Sequence, residues 1–155
     1  METTQSDLAE RAAQQTLQLV PRLHRWAQTR ALKGELSDIS LRQLSALAII
    51  REESTTLGEI ARRLMVTPAV ITGLIDRLER RGYVRRTTEP GDRRRIYLAL
   101  TDEGRQVSQA GEQQLVEQLS ARLTRFSDEE LAALARGLTI LVEVIPELEA
   151  ERNAG

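Results

Sequence analysis

The sequence predicts a mainly α protein with one small β-hairpin, an α+β fold class, on three observations. Apolar residues recur at helical spacing along most of the chain, as in Ile71, Leu74, Ile75 and Leu78. A hydroxyl side chain able to cap a helix start stands ahead of successive runs, at Ser40, Thr56, Thr67, Thr101 and Ser127. One pair of segments, 83–88 and 95–100, instead alternates β-branched or aromatic with polar residues across the turn chemistry of Glu89-Pro90-Gly91-Asp92.

Composition narrows the function classes. The chain has 155 residues and no cysteine, which excludes a disulfide framework, a cysteine nucleophile, a thiolate metal site and a thiol switch. His24 is its only histidine, so no zinc site is assigned. We find no nucleophile elbow, no phosphate-binding glycine loop and no metal-binding histidine pair, so no catalytic residue and no cofactor is assigned. The start Met-Glu-Thr-Thr-Gln-Ser-Asp is polar and acidic, and no apolar run reaches membrane-spanning length; the expectation is a soluble, cytoplasmic protein without a membrane partner.

In chain order, Ser6 is placed to cap a helix from Asp7 to about Leu32, with Leu8, Ala12, Leu19, Leu23, Trp26 and Ala27 as an intermittent apolar stripe. Pro21 falls inside it, so a kink or a break into two helices is expected near residues 17–21. Gly34 is read as the end of this helix. Its first half is too sparsely apolar to pack only within its own subunit. Ser40-Leu41-Arg42-Gln43 is a capping box, and the helix it opens is apolar on several sides, as a buried central helix would be.

Thr56-Leu57-Gly58-Glu59 is a second capping box, opening a short helix with Leu57, Ile60, Ala61 and Leu64 inward and Met65-Val66 at its end. Thr67-Pro68 then starts another helix, because proline at the first helical position gives up an N–H that had no partner there. Its outer face carries Ala69, Thr72, Gly73, Asp76, Arg77 and Arg80, and Gly82 closes it. Residues 56–82 therefore read as a helix-turn-helix whose second helix has a small-residue front and a cationic end, suited to a DNA groove.

The hairpin comes next, with Arg93, Arg94 and Arg95 at its tip beside Asp92, an acid able to orient one of them. Arg85 and Arg86 stay ambiguous, since alternate strand positions face opposite ways. Thr101-Asp102-Glu103 opens a helix through Val107, Gly111, Leu115, Leu119 and Leu123. Ser127-Asp128-Glu129-Glu130 opens the last one, where Leu131, Leu134, Leu138, Leu141 and Ile145 form a seam for a partner helix until Pro146 ends or bends it. The whole is a winged helix-turn-helix with N- and C-terminal helical dimerisation arms. We divide it at 1–34, 35–100 and 101–155, the arms and the DNA-binding lobe forming one structural domain overall.

Charge agrees with that reading. Net charge is −1, yet residues 62–97 hold ten arginines against four acids and the rest of the chain is correspondingly acidic. Since screening limits each charge to roughly 8 Å, a local basic block acts on a polyanion whatever the total.

Three segments carry a family resemblance: Leu57-Gly-Glu-Ile-Ala-Arg-Arg-Leu64, Thr67-Pro-Ala-Val-Ile-Thr-Gly-Leu-Ile-Asp-Arg-Leu-Glu-Arg-Arg-Gly-Tyr-Val84, and Asp92-Arg-Arg-Arg-Ile-Tyr-Leu-Ala-Leu-Thr-Asp-Glu-Gly104. On these the chain resembles the multiple-antibiotic-resistance-regulator (MarR) family of bacterial winged-helix transcription factors over nearly its whole length. The resemblance implies a recognition helix in the major groove, which maps onto Thr67, Pro68, Ala69, Thr72, Gly73 and Arg77. It implies a wing of Asp92, Arg93, Arg94 and Arg95 with Arg94 in the minor groove, and backbone contacts from Ser40, Arg42, Arg62, Arg63 and Arg80. It further implies a homodimer on a pseudo-palindromic double-stranded operator, and a repressor released by a small-molecule effector, often aromatic or phenolic. By position Leu23, Trp26, Ala27, Arg30 and Leu44 are placed to line the effector cleft. The alternative function is a helical adaptor that binds another protein rather than DNA.

Overall fold

The computed structural model describes residues 4–29, 32–89 and 92–154, with backbone alone at 89, 92–94, 149 and 151–154. Among the described residues six α-helices and one hairpin run in order: α1 (Gln5–Thr29), α2 (Leu41–Glu52), α3 (Leu57–Arg63), α4 (Pro68–Arg80), β1 (Val84–Glu89), β2 (Asp92–Leu100), α5 (Asp102–Leu123) and α6 (Asp128–Ala154). Two compact units divide the chain, residues 1–115 and 116–155.

In the first unit α2 supplies the centre. Leu44, Ala46, Leu47, Ile49 and Ile50 are all buried, joined by Ile60 and Ala61 of α3 and by Ile71, Leu74, Ile75 and Leu78 of α4. The periodic face read from the α4 sequence is thus the face in the core. Ser40 caps α2 in a full capping box with Gln43, and the Thr56 and Thr67 hydroxyls accept from the Glu59 and Val70 N–H groups. Each cap removes one of the orphan donors that a helix start would leave bare.

Helices α3 and α4 both end in a Schellman motif. After α4, Gly82 N–H donates to the Glu79 carbonyl and Tyr83 N–H to the Leu78 carbonyl, with Gly82 at φ +76°. After α3 the same pair of bonds runs from Met65 to Arg62 and from Val66 to Ala61, and here a methionine holds the left-handed position at φ +53°.

The strands pair antiparallel from Val84 with Leu100 to Thr88 with Ile96, then shift register to bring Glu89 opposite Asp92. Leu98 N–H donates to the Thr55 carbonyl at 2.7 Å, so the loop before α3 adds one bridge to the outer side of β2. That bridge and the buried Val84, Leu98 and Leu100 fix the hairpin, which alone would be marginal in water.

Several expectations are corrected. The cap of α1 is Thr4, whose hydroxyl accepts from Asp7 N–H while the Asp7 carboxylate accepts from Thr4 N–H; Ser6 lies inside the helix. Helix α1 runs unbroken through Pro21, and α6 runs through Pro146 to Ala154. Gly34, at φ +66°, opens a 3-10 turn over Gly34–Leu36 rather than closing α1, whose described part stops at Thr29.

In the second unit Ser127 and Glu130 form a reciprocal cap at the start of α6. Leu134, Leu138 and Ile145 of the expected seam are exposed, as are Ile140, Val142 and Leu148. Helix α1 likewise buries no residue, and Leu8, Leu17, Leu19, Val20 and Leu23 are open.

Candidate nucleic-acid interface

With Ile71, Leu74, Ile75 and Leu78 committed to the core, the opposite side of α4 is left to solvent. Thr67, Pro68, Ala69, Thr72, Gly73, Arg77 and Arg80 are all exposed. Thr67 is the N-cap and Pro68 the first helical residue, so the helix presents its positive end first. The Thr72 hydroxyl donates to the Pro68 carbonyl at 2.8 Å, which fixes its rotamer and leaves its methyl and a lone pair outward. A Cβ added at Gly73 meets nothing within 4 Å, so the front here is low by composition, not by packing.

The arginines divide into free and engaged. Arg42, Arg77, Arg80 and Arg85 are exposed and make no ion pair among the described residues. Ser40 and Arg42 stand at the α2 N-terminus, where peptide dipoles also favour an anion. Arg62 instead bonds Glu59 of its own helix. Arg63 reaches Glu52 at 3.0 Å and Glu53 at 3.1 Å, holding α3 against the end of α2.

Two further arginines were not assigned from sequence. Arg81 pairs with Asp38 at 3.2 Å and stacks over Tyr83, 5.2 Å from the ring centroid. Arg86 bridges Asp76 and Glu79 of α4, which settles its ambiguity: it faces the helix. Strand alternation says only that Arg85 and Arg86 face opposite ways, and the partner of Arg81 lies 43 residues away and leaves no signal.

Arg95 is exposed and, with Glu53, Thr56, Glu59 and Tyr97, lines a cleft of about 380 Å³. The side chains of Asp92, Arg93 and Arg94, and with them the expected orienting pair, lie outside the described residues.

Of the five effector-cleft residues, the four that are described are not gathered around one open space. Ala27 and Leu44 meet, with Leu32, Ile39, Leu41 and Leu115, around a void of only about 10 Å³, too small for more than a water. Gly111 is the reason: without a side chain it lets α5 close onto Leu44, whose Cδ1 would stand 2.6 Å from a Cβ there. Leu23 is exposed, Trp26 half-buried, and Arg30 lies outside the described residues. A larger cleft of about 940 Å³ opens elsewhere, lined by Thr29, Ser40, Arg42, Val70, Arg77 and Arg80 among others.

Among the described residues no group of three His, Cys, Asp or Glu side chains is placed to hold a metal. Nor is any described helix long and apolar enough to cross a membrane.

A capped helix with a bare small-residue front, braced by a shorter helix and followed by a basic hairpin, defines a winged helix-turn-helix. The MarR family model matches residues 39–96, from the start of α2 into the wing. The HTH-type transcriptional regulator MT0903.1 of Mycobacterium tuberculosis is 30% identical over 112 residues, 72% of this chain and 78% of its own. The repressor MdtR of Bacillus subtilis is 41% identical over 71 residues, about 46% of its length. Among solved structures, the transcriptional regulator BldR of Sulfolobus solfataricus superposes with TM-score 0.65 at 26% identity, over 90% of this chain and 98% of that one. The chain belongs to the MarR family of transcriptional regulators.

Proposed function

We propose that the protein acts in the cytoplasm as a homodimeric repressor that reads a pseudo-palindromic DNA site. The exposed front of α4 would enter the major groove, Arg42, Arg77 and Arg80 would clamp phosphates, and the arginine-rich wing would reach the minor groove. The observation that carries this is the pairing pattern: Arg77 and Arg80 on the outer face of α4 make no ion pair among the described residues, while both α4 acids, Asp76 and Glu79, are held by Arg86. Repression follows the named activity of MdtR. The role is one of binding, with no catalytic step.

The apolar side chains left open on α1 and α6 support the dimer, because a monomer would keep them in water. Two-fold symmetry would set the two reading helices about 34 Å apart, one turn of DNA. We further propose release by a small aromatic or phenolic anion, for which the cleft of about 940 Å³ has the volume and the arginines.

The test is selection of a duplex from a randomised pool by the purified protein, followed by mobility shift across salt. The expected result is a two-fold symmetric site, a dimer by sedimentation, and affinity falling by orders of magnitude between low and moderate salt. A protein monomeric at micromolar concentration, or one whose binding ignores salt, would overturn the reading. Phenolic acids that raise the melting temperature and dissolve the shifted band would support release.

A further inference from the structure

Acids are out of place on a helix that faces phosphates, yet α4 carries Asp76 and Glu79 beside Arg77 and Arg80. Both are met by one side chain from the wing. Arg86 of β1 donates from Nε to Glu79 Oε2 at 3.0 Å and from Nη2 to Asp76 Oδ1 at 2.7 Å. The side chains of Arg86, Asp76 and Glu79 are 34%, 41% and 38% exposed, so the cluster is at the surface and within reach of an approaching polyanion.

We infer that Arg86 is a charge mask for the recognition helix, not a phosphate clamp. The inference rests on the DNA-reading function proposed above. A guanidinium is a planar fork with a fixed spread of donors, which suits it to span two carboxylates one helical turn apart; a lysine would meet one of them well. Bridged, the cluster shows a phosphate one net negative charge instead of two, and β1 is tied to α4 at a set angle. To reach a phosphate, Arg86 would have to leave both acids, stranding them within a screening length of roughly 8 Å of the DNA. The loss would then count twice. Arg85, the next residue on the strand, is exposed and makes no ion pair among the described residues, so the hairpin has a free cation without drawing on Arg86.

The test uses the full-length protein and a short duplex carrying the site that the wild type selects from a randomised pool. R86A exposes both acids and is expected to weaken binding about tenfold at moderate salt. D76N/E79Q removes the same two ion pairs but also the acids, and is expected to bind at least as tightly as wild type. R86A/D76N/E79Q is expected to return to within about threefold of wild type. A merely structural role for the bridge would weaken all three variants alike, and melting midpoints check their folding. A triple variant as weak as R86A, beside a D76N/E79Q variant of undiminished affinity, would overturn the inference alone and make Arg86 a DNA contact. A wild type that shifts no duplex would overturn the DNA reading and the inference with it.

Discussion

The Tyr83 carbonyl leaves no room for a side chain on Gly104: a Cβ there would lie 1.9 Å from the oxygen and 2.7 Å from its carbon. The closeness is built by Thr101, whose N–H donates to that carbonyl at 3.1 Å and whose hydroxyl donates to the Gly82 carbonyl at 2.6 Å while accepting from Gly104 N–H at 3.0 Å. One threonine therefore joins the end of α4, the root of the wing and the first turn of α5. We expect G104A to cost about 3 kcal/mol or more in denaturant unfolding, because backbone rather than a pliable side chain must move. G111A, whose Cβ meets the flexible Leu44 side chain first, should cost about 1 to 2 kcal/mol. Equal losses would mean that the α5 start is softer than this contact implies.

The two Schellman motifs give an opposed pair of predictions. Gly82 sits where only glycine avoids a steric penalty, and G82A should destabilise by about 1 kcal/mol. Met65 occupies the equivalent position after α3 at 80% exposure, so it bears the left-handed strain without recovering it in packing. M65G should therefore stabilise by about 0.5 to 1 kcal/mol, the relief exceeding the added freedom of the unfolded chain. Midpoint shifts of the same sign in both variants would sink the account.

Those two positions also show what a linear sequence displays. Gly82 announces a helix end through its own chemistry, and Thr67-Pro68, Ser40 and the apolar face of α4 do the same, because caps and periodic faces are local properties. Met65 announces nothing, being an ordinary helix former held left-handed by the bond that Val66 N–H makes back to Ala61. Of the alternatives that Pro21 and Pro146 offered, the break and the helix end do not occur, because proline removes one hydrogen bond and crowds one carbonyl while its locked φ is itself helical, so the helix continues on either side. Within the candidate interface the exposed front of α4 was legible from periodicity. The division of arginines into free and engaged was not, since Arg63, Arg81 and Arg86 find their acids across the fold.

Two buried hydroxyls lack partners among the described residues. Thr55 Oγ1 and Ser108 Oγ make no hydrogen bond there, in residues only 3% and 1% exposed. A buried polar group without a partner has lost its water for nothing, so T55V and S108A should each be neutral or stabilise by about 1 kcal/mol. The Thr55 carbonyl, which accepts from Leu98 N–H, survives the first change. Destabilisation beyond about 1 kcal/mol in either variant would show that the hydroxyl is bonded after all.

Acid should loosen the start of α6 through one residue. Glu130 is held below its usual carboxylate pKa, chiefly by the Ser127 N–H and then by the Ser127 hydroxyl. A folded pKa below the unfolded one means that the stabilisation is complete above the unfolded value, 4.5, and is lost as pH falls through the lower, folded one. Amide-exchange protection in the first turn of α6 should therefore drop on acidification below that point. In E130Q the same amides should be less protected at neutral pH and should lose this acid step. A step of undiminished size in E130Q would show that Glu130 is not its source.

Free and engaged arginines should separate in solution. Arg42 and Arg80 are exposed without ion pairs among the described residues, so R42A and R80A should weaken binding to specific and random duplexes alike. Each should also flatten the dependence of log affinity on log salt by about one unit, the signature of one lost phosphate contact. Arg63 is held by Glu52 and Glu53 and would have to abandon them to reach DNA. R63A should leave the salt slope unchanged and lower stability by no more than about 1 kcal/mol, as exposed ion pairs do. Mobility shifts at several salt concentrations, set beside denaturation midpoints, decide the matter. If R63A flattens the slope as much as R42A does, then DNA competes successfully for an arginine already in an ion pair, and the distinction drawn from pairing in the unbound protein fails.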